Sequence, residues 1–495
     1  MNLRLYNTLS KRVEPFEPLH SGRAGVYACG PTIYDFAHIG NFRSFIVYDL
    51  VHRVLVWSGL EVRFVMNLTD VDDKTIRGAQ AAGVDLSSFT APFAEAVLAD
   101  ADALGIRPAH LYPRATAYVG PMIELVERLL ERGHAYRTDD GSVFFDISSF
   151  PDYGRLSGRD LEQARTGDRV SADEYGKDDV RDFALWKGVK PEDETVGAAW
   201  DAPWGRGRPG WHLECSAMSL AEVGTTLDLH LGGEDLIFPH HEDEIAQSEC
   251  ATGHTFARFW LHVKHLKVEG EKMSKSRGNF ITVRALLDEG VDPAAIRHLL
   301  LSAHYRSELN FTRSGLEASS KAVARLLDFE ARLLAHAEGG MPHASSDAHI
   351  EPPPAESQAG EGTDEEVLSR ARNDFRRAIQ DDLNVPEALA AVFVFLNAAN
   401  GALDRGVTPT WASAALQCLH EMDSVLGLLE TGRRGRVVDA DLSTWVEDRI
   451  LARAAARAAK DWGAADAIRD ELLSRGIVLE DAAGATRWKK VSLAG

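Results

Sequence analysis

The chain has 495 residues, 45% of them hydrophobic and 26% charged, which is the composition of a globular protein and the length of roughly three domains. It has no uncharged apolar window of about 18 residues to span a bilayer, no N-terminal apolar run of the kind a secretory signal needs, and only four cysteines, Cys29, Cys215, Cys250 and Cys418, too few and too scattered for a disulfide framework; the expectation is a cytoplasmic, non-membrane protein with reduced thiols or a metal. A net charge of −21 disfavours bulk electrostatic coating of nucleic acid, so a nucleic-acid partner has to meet local basic patches.

In chain order, residues 25–30 (GVYACG) form a short apolar run closed by glycine and Pro31, which predicts a buried strand. Phe42, Phe45, Ile46, Leu50, Val54 and Val56 recur at helical spacing over 42–57, with Gly59 as a stop. Residues 62–66 predict a second strand. Strand, helix, strand is the unit of a parallel sheet, whose ligands bind beyond the carboxyl ends of the strands, and CGPTIYDFAHIGN falls at that edge. Residues 115–205 read as an insertion, with a helix over 115–132 and a strand over 142–147 ahead of a polar stretch rich in Asp and Gly. Apolar runs at 227–231 and 259–268 resume the sheet. After Val291 the pattern is helical to about Glu430 apart from 338–362, whose Gly, Pro and Ser content predicts a mobile linker.

Two segments carry phosphate chemistry. His38-Ile39-Gly40-Asn41 lies at the predicted strand-to-helix turn, where free backbone N–H groups and the helix dipole favour a phosphate. An imidazole there can bond phosphate oxygens, and Gly40 lets an adenine ring approach the backbone closely. An ordinary turn histidine accounts for the tetrapeptide just as well. Lys272-Met273-Ser274-Lys275-Ser276 follows a predicted strand and precedes Arg277-Gly278-Asn279. Such a basic loop can close over a triphosphate and stabilise charge that develops during transfer, or stand as a solvated lysine loop.

Together and in this order, the two segments resemble the HIGH and KMSKS signatures of class I aminoacyl-tRNA synthetases. YACGPTIYDFAHIGNFRSF, NLTDVDDK, GRPGWHLECSAM, DLHLGGEDLIFPHHEDEIAQSEC and EKMSKSRGNF each resemble the matching block of the cysteinyl-tRNA synthetase family, a likeness running from Leu5 to Lys490. One position departs: the second signature histidine is Asn41, which can still donate a hydrogen bond to phosphate.

The resemblance implies an α/β fold. A Rossmann-type parallel-sheet catalytic domain would be split over 1–114 and 206–262, with an inserted connective domain at 115–205. The KMSKS loop and connecting helices would occupy 263–310, an α-helical tRNA-binding domain 311–337 and 363–430, and a small C-terminal anticodon-recognition tail 431–495. It also implies the reaction: the carboxylate of L-cysteine attacks the α-phosphate of ATP, bound with Mg²⁺, to give cysteinyl-adenylate and pyrophosphate, and a terminal ribose hydroxyl of tRNA(Cys) then takes the cysteinyl group. His38, Asn41, Lys272 and Lys275 match the catalytic positions, with Gly40 also at the ATP. The Gly30 backbone, Thr69, Trp211 and His230 match the cysteine pocket.

A zinc site follows from the same resemblance. His240 and Glu244 stand at i, i+4 in PHHEDEIAQS, which places them on one helical face; from that spacing a solvated His/Glu helix is the plainer reading. The metalloprotease pattern H-E-x-x-H fails, because position 245 is Ile. In the family one Zn²⁺ per chain is held by two cysteines, a histidine and a glutamate, and the matching positions are Cys29, Cys215, His240 and Glu244. Zinc is soft enough to accept the substrate thiolate. Cys250 and Cys418 match no ligand and read as buried thiols.

Near the C-terminus Arg449, Arg453, Arg457 and Lys460 share one helical face, either a stripe along a phosphate backbone or a solvated face. The resemblance assigns KDWGAADAIRD and GIVLED to an anticodon-binding tail, with Arg457, Asp466, Asp481 and Trp488 as contacts to unstacked bases. It suggests a monomer with no obligatory protein partner. Two rivals stand beside this reading. A related ligase joins cysteine to an amino sugar but lacks the tail, so residues 365–495 favour tRNA. A non-catalytic zinc-stabilised RNA-binding protein would not need both nucleotide signatures.

Overall fold

The computed structural model describes residues 2–159, 182–273, 278–338, 363–459, 461–475, 477–482 and 485–490. Lys275, Lys460, the side chain of Asp481 and the predicted linker from residue 339 onward lie outside the described residues.

Four parallel strands form the central sheet, in the spatial order Ala257–Val263, Leu227–Gly233, Arg23–Ala28, Glu61–Met66. The two inner strands are buried nearly throughout, which is why they read as continuous apolar runs rather than alternating ones. The helix Ile39–Trp57 crosses from the strand Arg23–Ala28 to its neighbour Glu61–Met66. On the other side of Arg23–Ala28 lies Leu227–Gly233, from much later in the chain. The chain therefore departs in opposite directions at the carboxyl ends of these strands, where open α/β sheets bind ligands.

The helix begins three residues before its predicted start because His38 caps it. The His38 side chain accepts from the Asn41 backbone N–H, and the Asn41 side chain accepts from the His38 backbone N–H, a reciprocal capping box. Nearly every side of the helix is buried, since it lies between the sheet and the helices Pro293–Leu301 and Pro409–Leu426.

The insertion has its own antiparallel sheet: Ala135–Arg137, Val143–Phe145, Phe183–Gly188 and Gly207–Pro209. Its helix divides into a 3-10 turn, Ala115–Tyr118, and an α-helix, Val119–Glu131. The last strand leads directly into the helix Trp211–Glu222.

Two predicted elements change. The apolar run 259–268 is two strands in different sheets, Ala257–Val263 and Leu266–Val268. Between them Lys264 and His265 turn outward to pair with Glu234, at 2.8 and 3.3 Å. The helical region after Val291 is also interrupted by a short strand, Leu309–Phe311, which pairs in parallel with Leu266–Val268.

The remaining helices Arg313–Ala337, Asp364–Gln380, Val385–Arg405 and Pro409–Leu426 pack as a bundle that shares one apolar core with the central sheet. Val385–Arg405 is long and apolar enough to cross a membrane by composition, but Val392, Phe395, Leu396 and Ala399 are buried in that core. At the joint, Asp49 Oδ2 pairs with Arg53 at 2.8 Å and Arg297 at 2.5 Å, and Arg297 Nε donates to the Leu426 carbonyl at 2.6 Å. The long helix Leu428–Ala458 leaves the main core and enters a second, small one around Val446, Leu472 and Ile477, completed by the helix Trp462–Ser474 and the hairpin Ile477–Ala482/Ala485–Lys490.

Candidate active site

A cleft of about 660 Å³ opens at the carboxyl edge of the central sheet. His38, Gly40, Asn41 and Lys272 line one wall, and Cys29, Cys215 and His240 lie at its base. The residues that follow the second signature segment meet the first: the Ile39 N–H donates to the Ile281 carbonyl at 2.9 Å, and Phe280 sets its ring edge-on to His38. His38 Nδ1 accepts the Asn41 N–H at 3.1 Å, so the neutral ring carries its proton on Nε2. Burial holds the His38 pKa below its ordinary value.

Gly30 and Thr69 also line the cleft, joined by a residue that sequence reading did not single out. The Asn67 side chain accepts from the Gly30 N–H at 2.9 Å and donates to Thr69 Oγ1 at 3.1 Å. A Cβ at Gly30 would stand 1.7 Å from the Asn67 carbonyl oxygen, so only glycine fits there. Trp211, 38% exposed at the start of its helix, stacks on the His240 ring with centroids 4.3 Å apart. His230 is placed differently from Trp211: it is fully buried behind the cleft, with Nε2 2.8 Å from Glu244 Oε2.

Three elements bring the four proposed ligands together. Cys29 follows the strand Arg23–Ala28, Cys215 lies on the helix Trp211–Glu222, and His240 and Glu244 flank the junction of the turn Ile237–His241 with the helix Glu242–Thr252. Their donor atoms all lie within 4.8 Å of one another and all four residues are buried. The sulfurs are 3.6 Å apart as free thiols, and His240 Nε2 is 3.1 Å from Glu244 Oε1.

Two sulfurs, one imidazole and one carboxylate in a tight buried group suit zinc. A second group overlaps it, made of Cys29, His230, His241 and Glu244. His241, unanticipated from sequence except as the neighbour of His240, enters the core because Gly232 leaves room: a Cβ there would stand 2.2 Å from its ring.

The charges in this group are matched. A hydrogen bond with Cys29 pulls the Cys215 pKa down to about 6 against burial, whereas burial pushes Cys29 up. Burial would raise the Glu244 pKa, but His230 and His240 outweigh it and hold it at about 2. Cys250 and Cys418 lie elsewhere, buried, with pKa values that burial raises to about 12 and about 11.

In the C-terminal region Arg449, Arg453 and Arg457 lie along the helix Leu428–Ala458. Arg449 sets its guanidinium against Trp445. Asp466 pairs with Arg469 at 3.4 Å, and Trp488 packs against the small core.

Comparison with known proteins is consistent along the chain. The family described as tRNA synthetases class I (C) catalytic domain matches residues 15–321, the DALR domain matches 374–430, and the cysteinyl-tRNA ligase anticodon binding domain matches 439–488. A cysteine–tRNA ligase of Symbiobacterium thermophilum is 44% identical over 492 residues, covering 99% of this chain and 100% of the relative. One from Solibacter usitatus is 46% identical over 493 residues, with the same coverage. Among solved structures, Mycobacterium tuberculosis methionyl-tRNA synthetase in complex with methionyl-adenylate aligns with a TM-score of 0.57 at 17% identity, over 82% of this chain and 90% of that one. The LeuRS–tRNA–LeuAMS ternary complex of Agrobacterium radiobacter aligns with a TM-score of 0.60 at 13% identity, over 85% and 86%. These two structural likenesses bear on the fold alone.

Proposed function

The chain belongs to the cysteine–tRNA ligase family, and from that premise we propose that the cleft takes ATP with Mg²⁺ along the His38 wall and cysteine at a base formed by a zinc site. The ligase joins cysteine to tRNA at the cost of ATP. The match of 439–488 to an anticodon-binding domain favours tRNA(Cys) over an amino sugar as the acceptor.

The observation that carries the site is the convergence of Cys29, Cys215, His240 and Glu244 at the base of the cleft whose wall is His38 to Asn41. Bound there, zinc supplies a soft Lewis acid that distinguishes a thiolate from a hydroxyl. Gly30, Thr69 and Trp211 border the same space and hold the amino acid, with His230 supporting Glu244 from behind. His38 offers Nε2–H and Asn41 its amide N–H to the phosphates, at a helix N-terminus whose dipole already favours an anion. Gly40 leaves the adenine a close approach. Lys272 and Lys275 offset the charge that grows as a carboxylate oxygen bonds to the α-phosphorus and pyrophosphate departs.

The chain divides into a catalytic domain split over 1–114 and 206–262, the insertion at 115–205, the loop region at 263–310, the helical domain at 311–337 and 363–430, and the tail from 431. The stripe Arg449, Arg453, Arg457 and Lys460, with Asp466, Asp481 and Trp488, is the anticodon side. The protein acts as a cytoplasmic monomer with neither membrane nor obligatory protein partner.

Metal analysis of the purified protein tests the centre, with one zinc per chain expected. With cobalt in its place, cysteine shifts the visible bands and serine does not. Bands that cysteine leaves untouched, at a concentration that saturates pyrophosphate exchange, would make the metal purely structural.

A further inference from the structure

The helix Glu242–Thr252 opens with three successive acids, Glu242, Asp243 and Glu244, none of them exposed. Buried carboxylates need partners, and these three find them in two directions. Glu244 faces His230 and His240. Glu242 and Asp243 face the insertion: Glu242 accepts the backbone N–H groups of Leu156 and Ser157, at 3.2 and 2.8 Å, and Asp243 Oδ1 accepts the Tyr153 hydroxyl. One helical turn thus carries a metal-ligand carboxylate on one side and an anchor for the insertion on the other.

The second oxygen of Asp243 leads back to the centre. Asp243 Oδ2 is 3.5 Å from His212 Nε2, and His212 Nδ1 is 3.0 Å from His240 Nδ1. His240 turns its Nε2 toward Glu244 and the thiols, so the metal-facing lone pair is on Nε2 and the ring proton is on Nδ1. A lone pair on His212 Nδ1 receives that proton, which puts the His212 proton on Nε2, the nitrogen that stands within ion-pair range of Asp243 without a hydrogen bond to it. The His212 ring is braced by Phe183, another residue of the insertion, and the His212 carbonyl and the Asp243 carbonyl both accept from Gln247 Nε2 at 2.9 Å.

We propose that Tyr153, Asp243 and His212 are positioning residues for His240, a chain of two hydrogen bonds and one ion-pair contact through which the insertion fixes the tautomer, orientation and donor strength of an imidazole metal ligand. This rests on the zinc reading of Cys29, Cys215, His240 and Glu244. A carboxylate behind a ligating imidazole makes it a better donor and holds its ring in place, and losing such a partner lowers metal affinity by roughly 10- to 100-fold. Here the carboxylate acts through one intervening imidazole, and the tyrosine orients the carboxylate.

The test measures zinc release from the full-length protein to an excess of a chromogenic chelator, together with the visible spectrum of the cobalt form. Asp243→Asn is expected to release zinc about tenfold faster or more and to shift the cobalt bands; Tyr153→Phe does the same to a smaller extent. His212→Leu matches Asp243→Asn, whereas His212→Asn, whose amide oxygen can replace the Nδ1 acceptor, recovers part of the parent's retention. Packing alone would not produce that recovery. Parent-like release and unmoved bands in Asp243→Asn and His212→Leu overturn the proposal. If Asp243→Asn does not fold, Tyr153→Phe decides in the same way, since it removes a single oxygen. A parent protein that purifies and refolds without binding zinc overturns the metal reading itself, an outcome distinct from a zinc-loaded parent whose variants behave alike.

Discussion

Asn41 and His38 cap one another: the Asn41 backbone N–H donates to His38 Nδ1 at 3.1 Å, and the His38 backbone N–H donates to Asn41 Oδ1 at 3.0 Å. The amide oxygen serves the helix and leaves the amide N–H groups for the phosphate that the proposed reading places there. Asn41→Asp keeps the capping oxygen and loses those donors while adding a negative charge. The melting temperature should hold, whereas cysteine-dependent pyrophosphate exchange should fall by about 10²-fold, the scale of losing one strong electrostatic donor. Asn41→Ala should lose both, with a stability cost of about 1 kcal/mol for the cap. Full exchange activity in Asn41→Asp would remove the side chain from the phosphate site.

Removal of the chain from Asp441 onward cuts within the helix Leu428–Ala458, between its first turns in the main core and Val446 in the small one. Pyrophosphate exchange should survive and charging of tRNA should be lost. Charging that persists would mean that the tail is not the anticodon side.

Asp49 is buried between Arg53 and Arg297, which overcome the effect of burial and hold its pKa below the ordinary value. Asp49→Asn leaves the buried Arg297 guanidinium without an ion-pair partner among the described residues and Arg53 with Glu430 alone, at 3.4 Å, and should cost about 3–5 kcal/mol in urea unfolding. A loss well under 1 kcal/mol would show that Glu430 and the backbone carbonyls suffice for the two arginines.

Burial lowers the His298 pKa to about 4, and its Nδ1 bonds Ser319 Oγ at 2.9 Å. In the unfolded chain a histidine titrates near about 6.5, so between these values the unfolded state binds the extra proton and stability falls as pH falls. His298→Gln removes that proton uptake. The stability difference between variant and parent should be constant above pH 7 and should shift in the variant's favour as pH drops from about 6.5 toward about 4. A constant difference across the whole range would place the His298 pKa at its ordinary value in the folded protein.

The inner strand was legible because a strand covered on both faces is a continuous apolar run bounded by glycine, as at residues 25–30; at 62–66 the exposed Arg63 interrupts the run, as suits an edge strand. The periodicity from Phe42 onward places the helix start three residues late because it cannot reveal a cap made by His38, four residues before Phe42. Leu309–Phe311 escaped notice since three residues give no period to detect. At the centre, the i, i+4 spacing of His240 and Glu244 was visible but equally suited a solvated helix; the run Glu242 to Glu244 looks exposed in sequence and is buried only because segments from far away cover it. Cys29 and Cys215 are 186 positions apart, so only resemblance could pair them. Asn67, Tyr153, His212 and His241 carried no local signal, because each acquires its role from a partner brought in by the tertiary fold.

In the proposed zinc site two of the four donors would be cysteines, their sulfurs 3.6 Å apart, and both are installed during translation from the very product that this ligase makes. A lapse that charged tRNA(Cys) with serine would place hydroxyls at positions 29 and 215 in some newly made copies. Those copies would lack the sulfur donors on which, in the zinc proposal, the selection of cysteine over serine depends. Translational error at this step is therefore self-reinforcing unless the defective copies lose stability and are cleared, and the zinc-deficient fraction of the protein should track the rate of serine misincorporation.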